Sequence, residues 1–367
     1  MLKYILFVWN YTIQNILKRR IKPRVLQLPI TGKCNSRCCT CNIWKDKSEK
    51  VNIDAIELKR SLSDPFFSEI SLVGINGGEP SLYPDIANVL EALWVLRKLK
   101  RVHFISNAMI SYRLLSMMDQ VKSECSKRGI KVYLTISIDG VGELHNQVRG
   151  IPTAFKKTME TLEIIRQHSE KYCDVLDIGC TLSVKNVAHA IEIETFLDSL
   201  SISAYYHPAV PNRRLHNYEN QDFSIMNYDR SRMLATEYFW GKFKYGHGLR
   251  TRGRAFLTYY YLLNKGKRRL AGCNYLRSDV TIDEHLNLFL CATASHKVGD
   301  LKKYSATELL KMGALKNEEQ MLKKQCDSCV HYIVFPSFKG AFLFIEELLK
   351  PFIWIKYKVL ATWLRLL

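Results

Sequence analysis

Three cysteines near the N-terminus stand at a spacing suited to iron. Cys34, Cys38 and Cys41 lie within Thr31-Gly32-Lys33-Cys34-Asn35-Ser36-Arg37-Cys38-Cys39-Thr40-Cys41, a Cys-x3-Cys-x2-Cys pattern. Soft thiolates suit iron, and three this close can hold three corners of a cubane iron–sulfur cluster. One iron is then left without a protein ligand, an open position where a substrate or cosubstrate can bind. Zinc is the competing metal. Zinc sites, however, usually pair Cys-x2-Cys twice or use Cys2His2, and no His lies in this segment.

Further groups that could do chemistry follow. In Asn76-Gly77-Gly78-Glu79-Pro80 the glycines Gly77 and Gly78 let the backbone come close to a ligand with its amides able to donate. The Glu79 carboxylate beside them can take an ammonium group. Ser106-Asn107-Ala108 and Ser137-Ile138-Asp139-Gly140 come next, the latter followed by His145 and Arg149-Gly150. Ser137 and Asp139 lie two apart on a strand, so both can face the same side. Taken singly, His145 and Asp139 suit ordinary turns as well. A second thiol set comprises Cys273, Cys291, Cys326 and Cys329. Asp279-Val280-Thr281-Ile282 and Asn287-Leu288-Phe289-Leu290 read as a hairpin around Asp283-Glu284-His285-Leu286, with a Cys at each end. The later Cys-x2-Cys completes four thiolates, for a cluster with no open iron or for a structural zinc.

The elements that must position these groups alternate. Strands are expected at 25–31, 70–76, 101–106, 131–138, 176–184 and 202–209. Helices are expected at 52–62, 84–98, 111–127, 154–169 and 187–200, with one more over 305–324. Alternating units imply parallel strands with crossover helices, an α/β fold. The spacing leaves open whether the sheet closes.

Together these segments resemble the radical SAM superfamily, with the cysteine loop straight after a first strand. The resemblance implies an open partial (β/α)6 barrel whose chemistry sits at the C-terminal ends of the strands. It implies that the free iron chelates S-adenosylmethionine and that Gly77, Gly78 and Glu79 hold its methionine amino end. Asn107, Ser137, Asp139 and Arg149 then lie near the ribose and carboxylate of the cosubstrate, or near the substrate, and Thr181 and Asn186 match weaker family positions. Ser106-Asn107-Ala108 stands where many relatives have Thr-Asn-Gly, and Thr40 stands where an aromatic often precedes the last cluster Cys. The second thiol set resembles the twitch module, a short form of the SPASM auxiliary-cluster domain. The expectation is therefore two 4Fe–4S clusters, on Cys34, Cys38 and Cys41 and on Cys273, Cys291, Cys326 and Cys329. The expected division is an N-terminal basic amphipathic helix (1–24), the partial barrel (25–210), a helical linker (211–270), a β-hairpin/helix auxiliary-cluster domain (271–334) and an amphipathic C-terminal tail (335–367). The implied activity is reductive cleavage of S-adenosylmethionine and hydrogen abstraction, a radical SAM oxidoreductase fed by a flavodoxin- or ferredoxin-like reducing partner. With only 33 residues before Cys34, a small polar or lipid-linked sugar or polyol is the expected substrate. A peptide-modifying maturase is the alternative, and a non-catalytic iron–sulfur or zinc scaffold the reading from another class.

Composition agrees with a globular chain of 367 residues, 47% hydrophobic and 24% charged. Eleven cysteines in clustered spacings point to metal ligation in a reducing compartment, not to a secreted disulfide scaffold, so a cytoplasmic protein is expected. Cys39, Cys125, Cys173 and Cys180 remain as core or incidental thiols. The net charge of +19 admits an anionic membrane, an acidic substrate or nucleic acid, the last disfavoured. Residues 1–33 hold seven basic residues and no acid. With their apolar stripe they suit either the inner face of an anionic membrane or packing on the barrel.

Overall fold

The structure, a computed structural model, describes residues 22–45, 50–331 and 339–350. The expected helix over 1–24, apart from its last three residues, and the tail beyond 350 lie outside the described residues. In chain order come β1 Val25–Pro29, α1 Ala55–Leu62, β2 Leu72–Asn76, α2 Ile86–Leu93, β3 Arg101–Ser106, α3 Ser111–Ser126, β4 Lys131–Ser137, α4 Glu143–Arg149, α5 Ala154–Gln167 and α6 Ser169–Tyr172. These are followed by β5 Val175–Leu182, α7 Ala190–Ser199, β6 Ser203–Pro208, α8 Asp229–Tyr245, α9 Leu249–Leu263, β7 Asp279–Ile282, β8 Asn287–Phe289, β9 Gly299–Asp300, α10 Ala306–Lys311 and α11 Ala314–Lys323.

Among the described residues the strands form one sheet in the order β6-β5-β4-β3-β2-β1-β7-β8-β9. The first six are parallel, and β7 joins the outer edge of β1, also parallel, with Gln27 opposite Thr281. The hairpin therefore extends the barrel sheet rather than forming a sheet of its own. Alternation within each strand explains the layering. Leu26, Leu28, Val102, Phe104, Val132 and Leu134 are fully buried toward the crossover helices, in one core with Leu58, Val89, Leu114, Val121, Leu162 and Ile193. Burying each such side chain contributes roughly 1.5–3 kcal/mol. The opposite face carries Gln27, His103, Thr135 and Asp177, which are polar. Asp54 caps α1 by accepting from Ile56 N and Glu57 N, and Asp85 caps α2 through Ala87 N.

Two expectations need correction. The single helix over 305–324 is broken into α10 and α11 by Gly313, whose φ of +78° is left-handed. The helix α4 was not foreseen; it starts after Gly142 and ends at Gly150, φ +65°, and seven residues are too few for helical periodicity to stand out. After the barrel, α8 and α9 pack closely through Phe243 and Phe256, ring centroids 5.1 Å apart. The helical stretch 339–350 docks on them through Phe344, leaving Phe342, Ile345 and Leu349 exposed. No helix among the described residues is long and apolar enough to cross a membrane.

Candidate active site

The cysteine loop leaves the C-terminal end of β1 and is strapped down from three sides. Gly78 N donates to Thr31 O (2.7 Å) and Glu79 N to Lys33 O (2.8 Å). A Cβ on Gly77 would sit 2.5 Å from Thr31 O, and one on Gly78 2.0 Å from Lys33 O. These glycines are thus required by the approach of the cysteine loop itself, and not only by that of a ligand. From the second side, the last carbonyls of α4 accept from the loop: Val148 O from Cys39 N (2.9 Å) and Arg149 O from Arg37 N (2.8 Å). Gly150 lets Arg37 O pass within 2.5 Å of where a Cβ would stand. From the third side, Asn217 Nδ2 donates to Thr40 O (2.6 Å), and Asn42 donates to Leu215 O and His216 O.

One cavity of about 180 Å³ at the C-terminal ends of the strands is lined by Cys34, Cys38 and Cys41 together with Gly77, Gly78, Glu79, Asn107, Ser137, Asp139, Arg149 and Thr181. Every cosubstrate residue named from the first motif set, together with the three thiols, is therefore brought to one place. Glu79 is almost fully buried. Its Oε1 accepts from Ser81 N, Ser81 Oγ and Ser106 Oγ, and its Oε2 from Asn107 N alone (2.8 Å). The Asn107 side chain is spent on structure: Nδ2 donates to Asn35 Oδ1 (2.8 Å) and Oδ1 accepts from Met109 N. Ala108 holds φ +57°, a left-handed strain of roughly 1–2 kcal/mol.

Asp139 and Arg149 form a buried ion pair at 2.8 Å. Burial opposes the guanidinium charge, but Asp139 and the Cys38 sulfur outweigh it and push the Arg149 pKa up. Arg149 also reaches Cys38 Sγ at 3.7 Å. Asp139 Oδ1 accepts from Thr181 N (2.8 Å), while Asn186 Nδ2 ties Asp139 O to Thr181 O. Asn186 is therefore a knot between the ends of β4 and β5, outside the cavity lining. His145 accepts from Asp139 N through Nδ1 (3.1 Å), and burial, then the Arg149 charge, lowers its pKa to about 3. It is a neutral brace.

The donor set fits an iron–sulfur cluster. Burial pushes the Cys34 thiol up to about 12 and the Cys41 thiol up to about 11, so each takes a metal by giving up a proton. Ser36 N already donates to Cys34 Sγ (3.4 Å), and Ser36 Oγ, which donates to Arg149 O, lies 3.0 Å from Cys38 Sγ. The second thiol set also shares a small cavity, with Cys273, Cys291, Cys326 and Cys329 around it. Thr293 N reaches Cys291 Sγ (3.5 Å) and His331 N reaches Cys329 Sγ (3.3 Å). Arg269 fastens the two loops, donating to Ala271 O, Gly272 O, Cys329 O and His331 O. Among the described residues no three His, Cys, Asp or Glu side chains are disposed to hold a single metal ion. Of the incidental thiols, Cys125, Cys173 and Cys180 are buried and Cys39 is partly exposed.

The sequence reading missed Ser36, Trp44 and Arg269. Trp44 lines the same cavity as the first three thiols and donates through Nε1 to Cys38 O (3.3 Å), an aromatic wall four residues after Thr40. Only the basic run Lys267-Arg268-Arg269 beside Cys273 carried a hint of Arg269.

Residues 28–193 match the family model described as Radical SAM superfamily, and this segment is a radical SAM domain. The family brings a 4Fe–4S cluster and S-adenosylmethionine, and its enzymes need a reductant. Among curated proteins the chain is 25% identical over 190 residues to the AdoMet-dependent heme synthase of Methanosarcina barkeri (strain Fusaro / DSM 804), covering 50% of each chain. It is 25% identical over 141 residues to the antilisterial bacteriocin subtilosin biosynthesis protein AlbA of Bacillus subtilis (strain 168), covering 38% of this chain and 30% of that one. The aligned regions thus span half or less of the length of these curated relatives. A solved structure of hexahistidine-tagged anSMEcpe with bound AdoMet superposes with a TM-score of 0.60 at 15% identity, over 92% of this chain and 96% of that one. That likeness concerns the fold, which is the α/β partial barrel expected.

Proposed function

We propose that this chain is an enzyme that cleaves S-adenosylmethionine reductively and oxidises a small polar substrate, with a second 4Fe–4S cluster on Cys273, Cys291, Cys326 and Cys329 as the electron acceptor. The convergence of Cys34, Cys38, Cys41, Glu79, Asp139 and Arg149 on one cavity carries the reading. Cys34, Cys38 and Cys41 would hold a 4Fe–4S cluster with one iron open, which when bound would supply the one electron that cleaves S-adenosylmethionine to methionine and a 5′-deoxyadenosyl group able to take a hydrogen atom from the substrate. The residues around it bind and orient. Glu79 Oε2, with a single hydrogen bond, has the capacity left to take the methionine ammonium. Arg149 Nε, buried without a partner, suits the methionine carboxylate. Trp44 offers a flat face for the adenine. A peptide substrate is the second reading, favoured by the relative named for bacteriocin biosynthesis. The exposed Phe342, Ile345 and Leu349, on a chain of net charge +19, support peripheral contact with an anionic membrane.

The test is anaerobic reconstitution, reduction with dithionite and chromatography for 5′-deoxyadenosine. Wild-type protein should hold about eight irons and form the product. Cys34→Ala, Cys38→Ala and Cys41→Ala should each abolish it, and the triple variant should keep about half the iron. Wild-type protein that holds iron yet forms no 5′-deoxyadenosine would overturn the proposed activity, and only about four irons would overturn the second cluster.

A further inference from the structure

A larger cavity, about 390 Å³, lies beside the cosubstrate cavity and shares Ile43 with it. At its other end it shares Cys291 and Thr293 with the second thiol set. Both cavities lie on one face of the sheet. Gln27 Oε1 accepts from Asn76 Nδ2, and Asn76 lines the first cavity. Gln27 is also in register with Thr281, which lines the second. Residues in register on neighbouring strands point the same way. A molecule seated here would thus stand between the two thiol sets.

The lining is basic. Arg213, Arg214 and Lys297 face the cavity. Arg213 is held in place by stacking on Tyr218, 4.1 Å from the ring centroid, and by donating to Ala294 O. Asn42 N donates to Leu215 O (2.9 Å), next to Arg214, which puts Arg214 on the side of the first thiol set. Of the two acids in the lining, Asp283 is spent on the hairpin turn, accepting from His285 N, Asn287 N and Asn287 Nδ2. The other, Glu284, has a buried Oε2 without a partner. So has the Thr281 hydroxyl, on a residue only 1% exposed. Buried polar atoms left without partners are costly unless a ligand satisfies them.

We propose that this cavity is the substrate site and that it takes a small oxyanion-bearing molecule with hydroxyl groups, a sugar or polyol phosphate or carboxylate. This rests on the proposed function and names its substrate class. Arg213, Arg214 and Lys297 bind the anion. Thr281 and Glu284 Oε2 take the hydroxyls, and so orient the carbon that faces the cosubstrate cavity.

The experiment uses the iron-loaded protein and calorimetric titration with three sugars of one skeleton: D-glucose 6-phosphate, D-glucuronate and D-glucose. The same preparation is assayed for 5′-deoxyadenosine. At least one anion should bind while glucose does not, and added salt should weaken binding. Lys297→Gln, on an exposed side chain that leaves the fold intact, should weaken it roughly tenfold, and Arg213→Gln should do so at least as strongly. Preference for the phosphate or for the carboxylate identifies which oxyanion the site takes. Glucose binding as well as the anions, no binding of either anion, or binding unchanged in both variants would overturn the anionic class, and the proposed function would stand if 5′-deoxyadenosine still forms. Anion binding by protein that forms no 5′-deoxyadenosine would overturn the assignment of the cavity to a substrate.

Discussion

Replacing Arg149 by Met puts the most weight on the geometry of the cavity beside the first thiol set. Its pair with Asp139 spans 2.8 Å, and the two side chains are only 11% and 5% exposed. Solvent therefore screens little of the interaction, and removing one partner strands the other charge. Asp139 would keep only the hydrogen bond from Thr181 N. Breaking such a pair costs about 3–5 kcal/mol, a large share of the roughly 5–15 kcal/mol that holds a domain folded. Asp139→Asn, which strands the guanidinium instead, should cost a similar amount. The double variant should be little worse than either single change, giving a coupling close to the single cost, roughly 3–5 kcal/mol. Urea unfolding of the metal-free protein under anaerobic conditions, followed by circular dichroism at its first transition, measures all three. Additive costs, or a single cost below about 1 kcal/mol as for an exposed pair, would refute the argument.

Glu79→Gln should retain iron but weaken S-adenosylmethionine binding by at least about tenfold, because the new amide presents an N–H toward Asn107 N–H where Oε2 stood; unchanged affinity in a titration of the cluster's electron-spin signal would rule out that role. His145 stays neutral down to about pH 3, so below its ordinary 6.5 the unfolded chain takes up a proton that the native chain refuses. Its contribution is complete above 6.5 and is lost as the pH falls toward 3, by up to about 1.4 kcal/mol per pH unit. His145→Asn keeps an acceptor for Asp139 N and should flatten the acid limb of a melting-temperature profile, although the half-buried His103 and His331, lowered in the same direction, still contribute; an unaltered limb would count against the brace. Full-length protein should sediment with anionic vesicles at low salt and release at high salt, whereas protein left in the supernatant at low salt would end the membrane proposal.

Much of this molecule could be read from the chain, for a physical reason. Most barrel strands have one face against helices and one face in a largely polar interior, so the period of two is written into residues such as Val102, His103 and Phe104. The observed strands begin and end within about two residues of those expected. The thiols and Glu79 were legible because their spacing is local. Much of what escaped notice acts across long separations. Ser36 meets Arg149 O 113 residues away, and Asn217 meets Thr40 O 177 residues away; no periodicity encodes such contacts. Around 211–270 several bases lie over aromatic rings: Arg213 over Tyr218, Lys242 over Tyr206 and Lys244 over Trp240.

The pairing of β1 with β7 decides where the chain can be cut. β1 is flanked by β2 on one side and by β7, some 250 residues later, on the other. A fragment ending near residue 270 would keep all six parallel strands yet leave Val25–Pro29 as an open edge. Its amides and carbonyls would face outward beside leucines meant for the core, a template for pairing with another chain. Such a fragment should self-associate on expression, and the ribosome meets the same hazard: until the hairpin emerges, the strand that leads into the first cysteine loop has an unpaired side.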